Sequence, residues 1–539
     1  MEEYVLDVLA ASAEAAGAGL GPLVVMLAGL AGDVAEAGSL DEMEELVIRR
    51  GRELLRRVVQ AGLDRKAAGE VRLPGVLGSD GVWRDRAERG CRRRVVTSVG
   101  VVTAVRMRYR SPVKGAGSLF PADAVLNLPP SGYSWHLRWL MVMFARSGAF
   151  AQAREFLAEV TGVTVGIRQI EQITDAASAD AAAFCDAGPA PADAPGDGPG
   201  LRDGQDAGDV PGPLALSADG KGVSMRPESR RRRTKAPDKR VKTFGKRAVA
   251  GEKKGTKRIA QVSCVFDVIP EARTPEEVMA SCHGGDAAGP VPAAAGRKKK
   301  KGKGKPAPEA VNRRYRADIT ADRSESVTWL FDQAELRDPR HERNWIALVD
   351  GDNHQIALIE AEAARRGVTV TILIDLIHVM EYVWKAGWAL FPARDPVIED
   401  WTAARIPGIL HGRSAGVAGL IARLASENPP QSPEHAKNIA RVLSYLNAKQ
   451  PYLGYPAALA AGWPVATGVI EGACRHLVKD RMDITGARWT TPGAQAILWH
   501  RAIHANHDYH AYWQYHLQQE HHRNHLSKYQ NPDTLALAA

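Results

Sequence analysis

Alternating strand and helix patterns between Leu214 and Asp375 constrain the fold of this chain more than any other feature. Segments with helical periodicity separate four short, apolar, strand-like segments, which are 214–219, 259–268, 344–350 and 368–375. Such alternation predicts an α/β domain with a mixed or parallel sheet, because helices must cover the faces of the sheet. The pattern becomes wholly helical from 376 to 465.

Acidic residues end several of these strands. Asp219 and Asp350 each precede a glycine, which lets the chain turn sharply and leaves the carboxylate uncrowded. Because chemistry in open α/β sheets gathers at the carboxyl ends of strands, we expect these two acids to converge. Glu471 lies early on a helix that begins after Thr467. Three convergent carboxylates need cations to stay ionised, so the pattern predicts two Mg²⁺ (or Mn²⁺) ions that clamp a phosphodiester.

Five short motifs follow one another in the second half of the chain: Asp219-Gly220, Val349-Asp350-Gly351, Asp375 to Tyr382, Gly468 to Glu471, and Arg481-Met482 with Gly486 to Trp489. In this order they resemble the motifs of bacterial insertion-sequence DDE transposases of the ISKra family and its Mutator-like relatives. The resemblance extends over residues 90–180 and 214–505. It implies an RNase H-like catalytic domain built from 214–375 and 466–510, with the helices of 376–465 inserted between the second Asp and the Glu.

Asp375 competes with Asp350 for the role of second acid. The resemblance implies that the first strand pairs with the fourth and that the fifth lies outside it. Asp350 ends the fourth strand if a further strand lies between Val268 and Ser324, and on that basis we assign Asp219, Asp350 and Glu471 as catalytic metal ligands. Asp375 and His378 are one helical turn apart and should touch. The resemblance gives them a supporting role, whereas the residues alone equally allow a packed histidine; Asp352 is expected to be solvated.

The first 185 residues read as a DNA-binding region. Residues 1–80 have helical patterning, and in 81–185 a basic β-hairpin turns near Ser98-Val99-Gly100. Two helices follow at 150–158 and 165–173, and the second carries Arg168. Their spacing is that of a helix-turn-helix, although two ordinary packed helices have the same spacing. An acidic linker rich in Pro and Gly, which we expect to be disordered, occupies 186–213.

Positive charge is concentrated in two segments that lack apolar periodicity. The net charge is +9, yet Lys221 to Arg258 contains 16 Lys or Arg and three acids, and Arg297 to Lys305 contains seven Lys or Arg and no acid. We predict flexible basic insertions at 221–258 and 283–312. They are either solvated loops or grips for DNA phosphates, and the residues assigned to DNA in them are Arg231, Arg232, Arg233, Lys299 and Lys300.

Basic residues recur after Glu471 at helical spacing. Arg475, Lys479 and Arg481, with Arg488 further on, are assigned to DNA beside the metal site, and the alternative is a solvated charged face. Trp489 is either a core residue or a base-stacking one. The histidine-rich tail at 511–539 predicts a polar surface helix, because no Cys or acid lies at zinc-binding spacing. The stretch after the hairpin also lacks thiols, so no zinc is expected.

Composition and chain termini narrow the class of protein. The acidic start Met1-Glu2-Glu3 is unlike a signal peptide, and no apolar stretch is long enough to span a bilayer. We therefore expect a bacterial cytoplasmic, nucleoid-associated protein with no membrane partner. The expected partners are double-stranded DNA, as terminal inverted repeats and target, and further copies of this chain in a dimer or larger assembly. The alternatives are an inactive, domesticated DNA-binding regulator and a related nuclease without strand transfer.

Overall fold

The computed structural model describes residues 21–186, 212–230, 256–283, 306–392, 395–484, 486–532 and 535. They form a mixed α/β chain, as predicted, which divides into two compact units. The first unit comprises residues 1–196 together with 508–539, and the second comprises 197–507. Within the described residues, no helix is long and apolar enough to cross a membrane.

The first unit is mainly helical, with two small antiparallel strand pairs. Its strands are β1 (Val76–Leu77), β2 (Trp83–Arg84), β3 (Arg86–Thr97) and β4 (Gly100–Arg110). Its helices are α1 (Gly21–Glu36), α2 (Leu40–Gly69), α3 (Pro121–Val125), α4 (Trp135–Ser147), α5 (Phe150–Thr161), α6 (Ile167–Ala176), α7 (Ala181–Asp186) and, at the chain end, a helix at Tyr509–Asn524.

Strands β3 and β4 form the basic hairpin, and it turns where the sequence predicts. Thr97 pairs with Gly100, so Ser98 and Val99 make a two-residue turn. Helix α2 lies along β4: the Gln60 side chain accepts from the Thr103 amide at 2.8 Å and donates to the Thr103 carbonyl at 2.9 Å. These bonds satisfy the free edge of the hairpin, which would otherwise expose unpaired backbone groups.

Helices α5 and α6 are the pair predicted as a helix-turn-helix. Gly162 ends α5 in the left-handed region, with φ of 68°, a conformation that glycine adopts without strain. Helix α6 begins after Gly166, whose amide donates to the Gln169 side chain at 3.2 Å. Ile170 and Ile173 are buried, whereas Arg168 is exposed. Both helices end three residues later than predicted, and α6 also begins two residues later. Their last turns carry too few apolar residues to reveal where they end.

The expectation of a polar surface helix at the chain end is wrong. The helix at Tyr509–Asn524 belongs to the first unit and buries Tyr509, Tyr512, Trp513 and His516. His525, directly after it, is also buried. Histidines look polar in sequence, but each of these finds a specific acceptor: the His516 ring bonds to Asp180 at 2.7 Å and the His525 ring to the Leu128 carbonyl at 2.7 Å.

The burial of His525 makes the stability of the first unit pH-dependent. Burial lowers the pKa of His525 more than its bond to the Leu128 carbonyl raises it. The unfolded chain therefore binds more protons below pH 6.5, and stability falls as pH drops through the unfolded pKa. We expect the melting temperature to decrease from pH 7 to pH 5, and His525→Gln to reduce that decrease. Exposed His522→Gln is the control, and an equal pH slope in all three proteins would refute the assignment.

The second unit contains a five-stranded mixed sheet in the order β7-β6-β5-β8-β9. Its strands are β5 (Leu214–Ser224), β6 (Lys257–Ile269), β7 (Glu309–Asp318), β8 (Trp345–Val349) and β9 (Val370–Ile374). Strand β6 runs antiparallel to both β5 and β7, whereas β8 runs parallel to β5 and β9 parallel to β8. Strand β7 is the additional strand that the assignment of Asp350 requires.

Helices cover this sheet and form the predicted helical segment. They are α8 (Pro275–His283), α9 (Arg323–Arg337), α10 (Asn353–Arg366), α11 (Leu376–Leu390), α12 (Val397–Ala403), α13 (Ile406–Leu410), α14 (Ser414–Glu427), α15 (Pro433–Ala448), α16 (Tyr455–Ala460), α17 (Gly468–Ala473), α18 (Asp480–Met482) and α19 (Thr491–Ala505), so the Tyr509–Asn524 helix is α20. Helices α11 to α16 lie between Asp375 and Thr467, and a π-helical turn, Cys474–Lys479, joins α17 to α18.

The predicted bounds of both basic insertions are wrong. Strand β5 continues through Lys221 to Ser224, and β6 already begins at Lys257. Likewise α8 ends at His283, and β7 begins at Glu309. Long paired strands tolerate lysine and glycine at their ends because the backbone ladder holds them. The assigned residues Arg231, Arg232, Arg233, Lys299 and Lys300 lie outside the described part of the chain, as does most of the linker at 186–213.

Candidate metal centre

The sequence predicts Asp219 at the end of its strand, but the residue lies within β5. It pairs with Val262 of β6, and the strand runs on for five residues. Parallel pairing of β5 with β8 stops at Ser217–Leu348, so the strands separate just before the two acids. Asp219 is exposed, and its Oδ2 accepts a bond from the Cys474 thiol at 3.4 Å. The carboxylate thus lies at the open edge between two diverging strands.

Asp350 follows β8 directly and faces the same opening. Asp219 and Asp350 line one pocket together with Arg323, Asp352 and Gln355. The Asp352 amide donates to Asp350 Oδ1 at 2.9 Å. Asp352 is not merely solvated, since it caps α10 through the His354 amide at 2.8 Å and pairs with Arg323 at 2.6 Å. Its own charge is therefore satisfied, which leaves Asp219 and Asp350 as the acids that face the pocket without a basic partner among the described residues.

Asp375 occupies a different position from the other acids because its side chain is fully buried. Its Oδ1 accepts the Ile377 amide at 2.9 Å, which caps α11. Its Oδ2 accepts from the Thr467 hydroxyl at 2.5 Å and contacts His378 Nδ1 at 3.1 Å, as the sequence predicted. Burial raises the pKa of Asp375, but these three bonds outweigh it and lower the pKa overall. Asp375 therefore stays ionised and joins α11 to the segment that leads into α17.

The Asp375–Thr467 bond also positions the helix that carries Glu471. Helix α17 begins at Gly468, directly after Thr467, and Glu471 is on its first turn. Glu471, Asp375 and His378 offer ligand atoms that all lie within 4.8 Å of one another. Burial raises the pKa of Glu471, and the charges of Asp375 and Asp219 raise it further against the opposing effect of His378. The acids are thus close enough to repel one another.

The donor set suits a divalent cation. Carboxylate oxygens with one imidazole nitrogen are ligands for Mg²⁺ or Mn²⁺. Burial contributes most to the raised pKa of Glu471, and the charges of Asp375 and Asp219 add to it; a bound cation would favour the ionised carboxylate. Within the described residues, however, the atoms of Asp219, Asp350 and Glu471 do not form a group as tight as that of Asp375, His378 and Glu471. Glu471 thus groups with Asp375 and His378, and the charge of Asp219 also acts on it.

A second cluster of possible ligands lies in the first unit, where Asp180, His516 and Glu520 meet. Arg523 already contacts both of its carboxylates, at 2.6 Å from Asp180 and closer still to Glu520. Sequence spacing could not reveal this group, because Asp180 is distant in the chain.

Two contributors to the site were missed from the sequence. Thr467 and Cys474 bind Asp375 and Asp219 respectively, and they lie on either side of Glu471. The only signal in the sequence was their spacing: Thr467 is four residues before Glu471 and Cys474 three after it, which places all three on one side of a helical segment. Burial and the neighbouring Asp219 raise the pKa of the Cys474 thiol, so it remains a protonated donor.

The assignment of Arg481 to DNA is wrong, because its side chain is only 2% exposed. The π-helical turn Cys474–Lys479 is wider than an α-turn and rotates the residues after it inward. The guanidinium lies 4.7 Å from the centre of the Trp489 ring. Trp489 is itself buried, and its indole donates to the Met482 carbonyl at 3.0 Å, so it is a core residue. The other three assigned residues, Arg475, Lys479 and Arg488, are exposed.

The loop at Gly351 predicts a matched pair of glycine substitutions. Gly351 has φ of 93°, and an added Cβ would lie 2.8 Å from the Tyr445 hydroxyl. Gly367 also has positive φ, of 68°, but faces open space. We expect Gly367→Ala to cost about 1 kcal/mol from backbone strain alone and Gly351→Ala about 2–3 kcal/mol, because it adds a clash. Urea unfolding measures both, and equal costs would exclude the contact with Tyr445.

No protein-family model matches this chain, and no curated protein matches it significantly in sequence. A proposal of function therefore rests on the fold and on the geometry of the site.

Proposed function

We propose that this chain is a DNA transposase that cuts and joins DNA strands with two divalent cations held by Asp219, Asp350 and Glu471. The observation that carries this proposal is the parallel pairing of the first and fourth strands of the sheet, after which Asp219 and Asp350 open into one pocket. Glu471 is close enough to Asp219 for that charge to raise its pKa, which supports Glu471 as the third acid.

The topology of the second unit supports an RNase H-like fold. The strand order β7-β6-β5-β8-β9 places the first strand beside the fourth and the fifth outside it, as the resemblance to DDE transposases implies. The helices α11 to α16 occupy the interval between the second Asp and the Glu, where that resemblance implies an insertion. An α/β fold alone hosts many activities, so the acids at this position are the stronger support.

Two divalent cations would supply a Lewis acid and an activated water for phosphodiester displacement. Asp219, Asp350 and Glu471 would hold them, and the residues around these acids orient the carboxylates. The Cys474 thiol donates to Asp219, the Asp352 amide donates to Asp350, and Thr467 with Asp375 fixes the start of the helix that carries Glu471. Preorganised ligands lower the reorganisation needed in the transition state.

Double-stranded DNA is the proposed substrate. Exposed Arg475, Lys479 and Arg488 lie on the segment that follows Glu471, where they can contact phosphates without altering the core. In the first unit, α5 and α6 with Arg168 are the proposed contact to the ends of the element. Joining two DNA ends requires two active sites, so we propose a homodimer or larger assembly on DNA.

The test is an in vitro reaction with purified protein, Mg²⁺ or Mn²⁺, and a plasmid that carries this gene with its native flanking DNA. A transposase yields flank-specific breaks and products joined to a second, unrelated plasmid. Breaks without joined products indicate a nuclease, and specific binding without breaks indicates a regulator. The absence of specific binding, breaks and joining would contradict all three.

A further inference from the structure

We propose that Tyr445 is a positioning residue of the carboxylate site, whose hydroxyl donates a hydrogen bond to Asp350 when that carboxylate turns to hold a divalent cation. This inference rests on the proposed function. Tyr445 lies on α15, within the helical segment between Asp375 and Thr467. Its hydroxyl is sealed from solvent and has no hydrogen-bond partner within the described residues.

The hydroxyl of Tyr445 lies beside the turn that carries Asp350. It lies against Gly351, so close that a Cβ on that residue would be only 2.8 Å away. Gly351 directly follows Asp350, whose Oδ1 accepts only the Asp352 amide among the described contacts. A carboxylate has about four lone-pair sites, so Asp350 retains the capacity to accept another bond. The donor thus lies against the turn that carries the acceptor.

The tyrosine is held rigidly in this position. Its ring stacks on Tyr382 with centroids 3.7 Å apart and an angle of 6° between planes. The residues that follow α15 contact α10 directly after this loop: Lys449 bonds to Asn353, and the Tyr452 hydroxyl bonds to Glu360 at 2.7 Å. The stacked ring keeps the hydroxyl beside this loop, although it bonds to none of the described residues.

The charges around the hydroxyl keep it a donor. Burial raises the pKa of Tyr445, and the ionisable neighbours Tyr382, Asp350, Asp375 and Glu381 raise it further. A buried hydroxyl without a partner costs free energy in the cation-free protein. That cost is recovered only in a state in which an acceptor turns toward it, and the acceptor next to it is a predicted metal ligand. Groups that orient metal ligands in this way typically change metal affinity 10- to 100-fold.

Tyr445→Phe tests the inference because it removes the hydroxyl and keeps the stacked ring. In EDTA, we expect the variant to melt at the same temperature as the wild type or slightly higher, since no bond is lost. In a Mn²⁺ titration, followed by the electron paramagnetic resonance signal of free Mn²⁺, we expect affinity about tenfold weaker than that of the wild type. Tyr452→Phe is the matched control, and it should leave Mn²⁺ affinity unchanged. Asp350→Asn should weaken Mn²⁺ binding most.

The outcomes separate this inference from the proposed function. Equal Mn²⁺ affinity of wild type and Tyr445→Phe, with weak binding by Asp350→Asn, would overturn the role of Tyr445 and leave the metal site intact. A lower melting temperature of Tyr445→Phe in EDTA would also overturn it, because the hydroxyl would then already be bonded in the cation-free protein. A wild type that does not bind Mn²⁺ would contradict the metal site itself, and this inference with it.

Discussion

Replacing Asp219 by asparagine is expected to lower DNA strand cleavage at least about 10³-fold while leaving DNA binding unchanged. Asparagine keeps the size of the side chain but removes the charge that a cation requires, and its amide group can turn a donor toward the cation. Asp219 is exposed where β5 and β8 separate and has no basic partner among the described residues, so we expect the fold to tolerate the loss of its charge. Cleavage of the plasmid with native flanks, measured under single-turnover conditions, gives the ratio.

Asp332→Asn is a suitable control for this experiment. Asp332 lies on α9, where it pairs with Arg366 at 2.7 Å, and its side chain is 53% exposed. Arg366 keeps Glu335 and Glu362 as partners when Asp332 is neutral, so we expect a small cost in stability. Asp332 also lies apart from the pocket of Asp219 and Asp350. Both variants should bind DNA like the wild type, but only Asp332→Asn should cut it. Undiminished cleavage by Asp219→Asn would show that Asp219 is not a catalytic ligand.

Arg481→Ala is expected to destabilise the second unit by about 3 kcal/mol. The side chain is 2% exposed and packs over the Trp489 ring, so truncation leaves a cavity beside an indole. Burial lowers the pKa of Arg481 to about 10, but the group stays protonated at neutral pH. Truncation also removes buried hydrogen-bonding capacity. Urea unfolding of wild type and variant measures the difference.

Arg475→Ala is the matched comparison, because it removes the same type of side chain from an exposed position six residues earlier on the same segment. The Arg475 side chain is 76% exposed and has Asp480 at 3.7 Å. We expect a change in unfolding free energy below about 0.5 kcal/mol and, if this segment binds DNA, weaker binding with a smaller dependence on salt. If Arg481→Ala were as stable as Arg475→Ala, the core position of Arg481 would be wrong.

Local sequence patterns located four of the five strands of the sheet and the position of the hairpin turn. Alternating apolar residues and terminal acids located β5, β6, β8 and β9, since strand patterns depend on near neighbours in the chain. The ends of β5 and β6 were missed, because Lys221 and Lys257 lie on a ladder whose pairing is set by the partner strand. The ends of α5 and α6 were missed because their last turns carry few apolar residues.

Side-chain environment was the part that local patterns could not supply. Arg481 and the histidines His516 and His525 look like surface residues in sequence, yet all three are buried. The π-helical turn determines the first case, and acceptors hundreds of residues away determine the others. Helical periodicity reveals neither a π-helical turn nor an acceptor that is distant in the chain.

The sequence by itself determined the α/β class, the helical segment after Asp375, and the contact of Asp375 with His378, because these depend on periodicity and on spacing within one helical turn. Only the tertiary structure decided which acids share a pocket and which are enclosed. Parallel pairing of β5 with β8 brings Asp219 and Asp350 to one opening. Asp375 is instead buried, and its hydrogen bond from Thr467 links it to the start of the helix that carries Glu471. The physical reason is that strand order and long-range hydrogen bonds join residues more than 90 positions apart, and no local pattern specifies which of them meet.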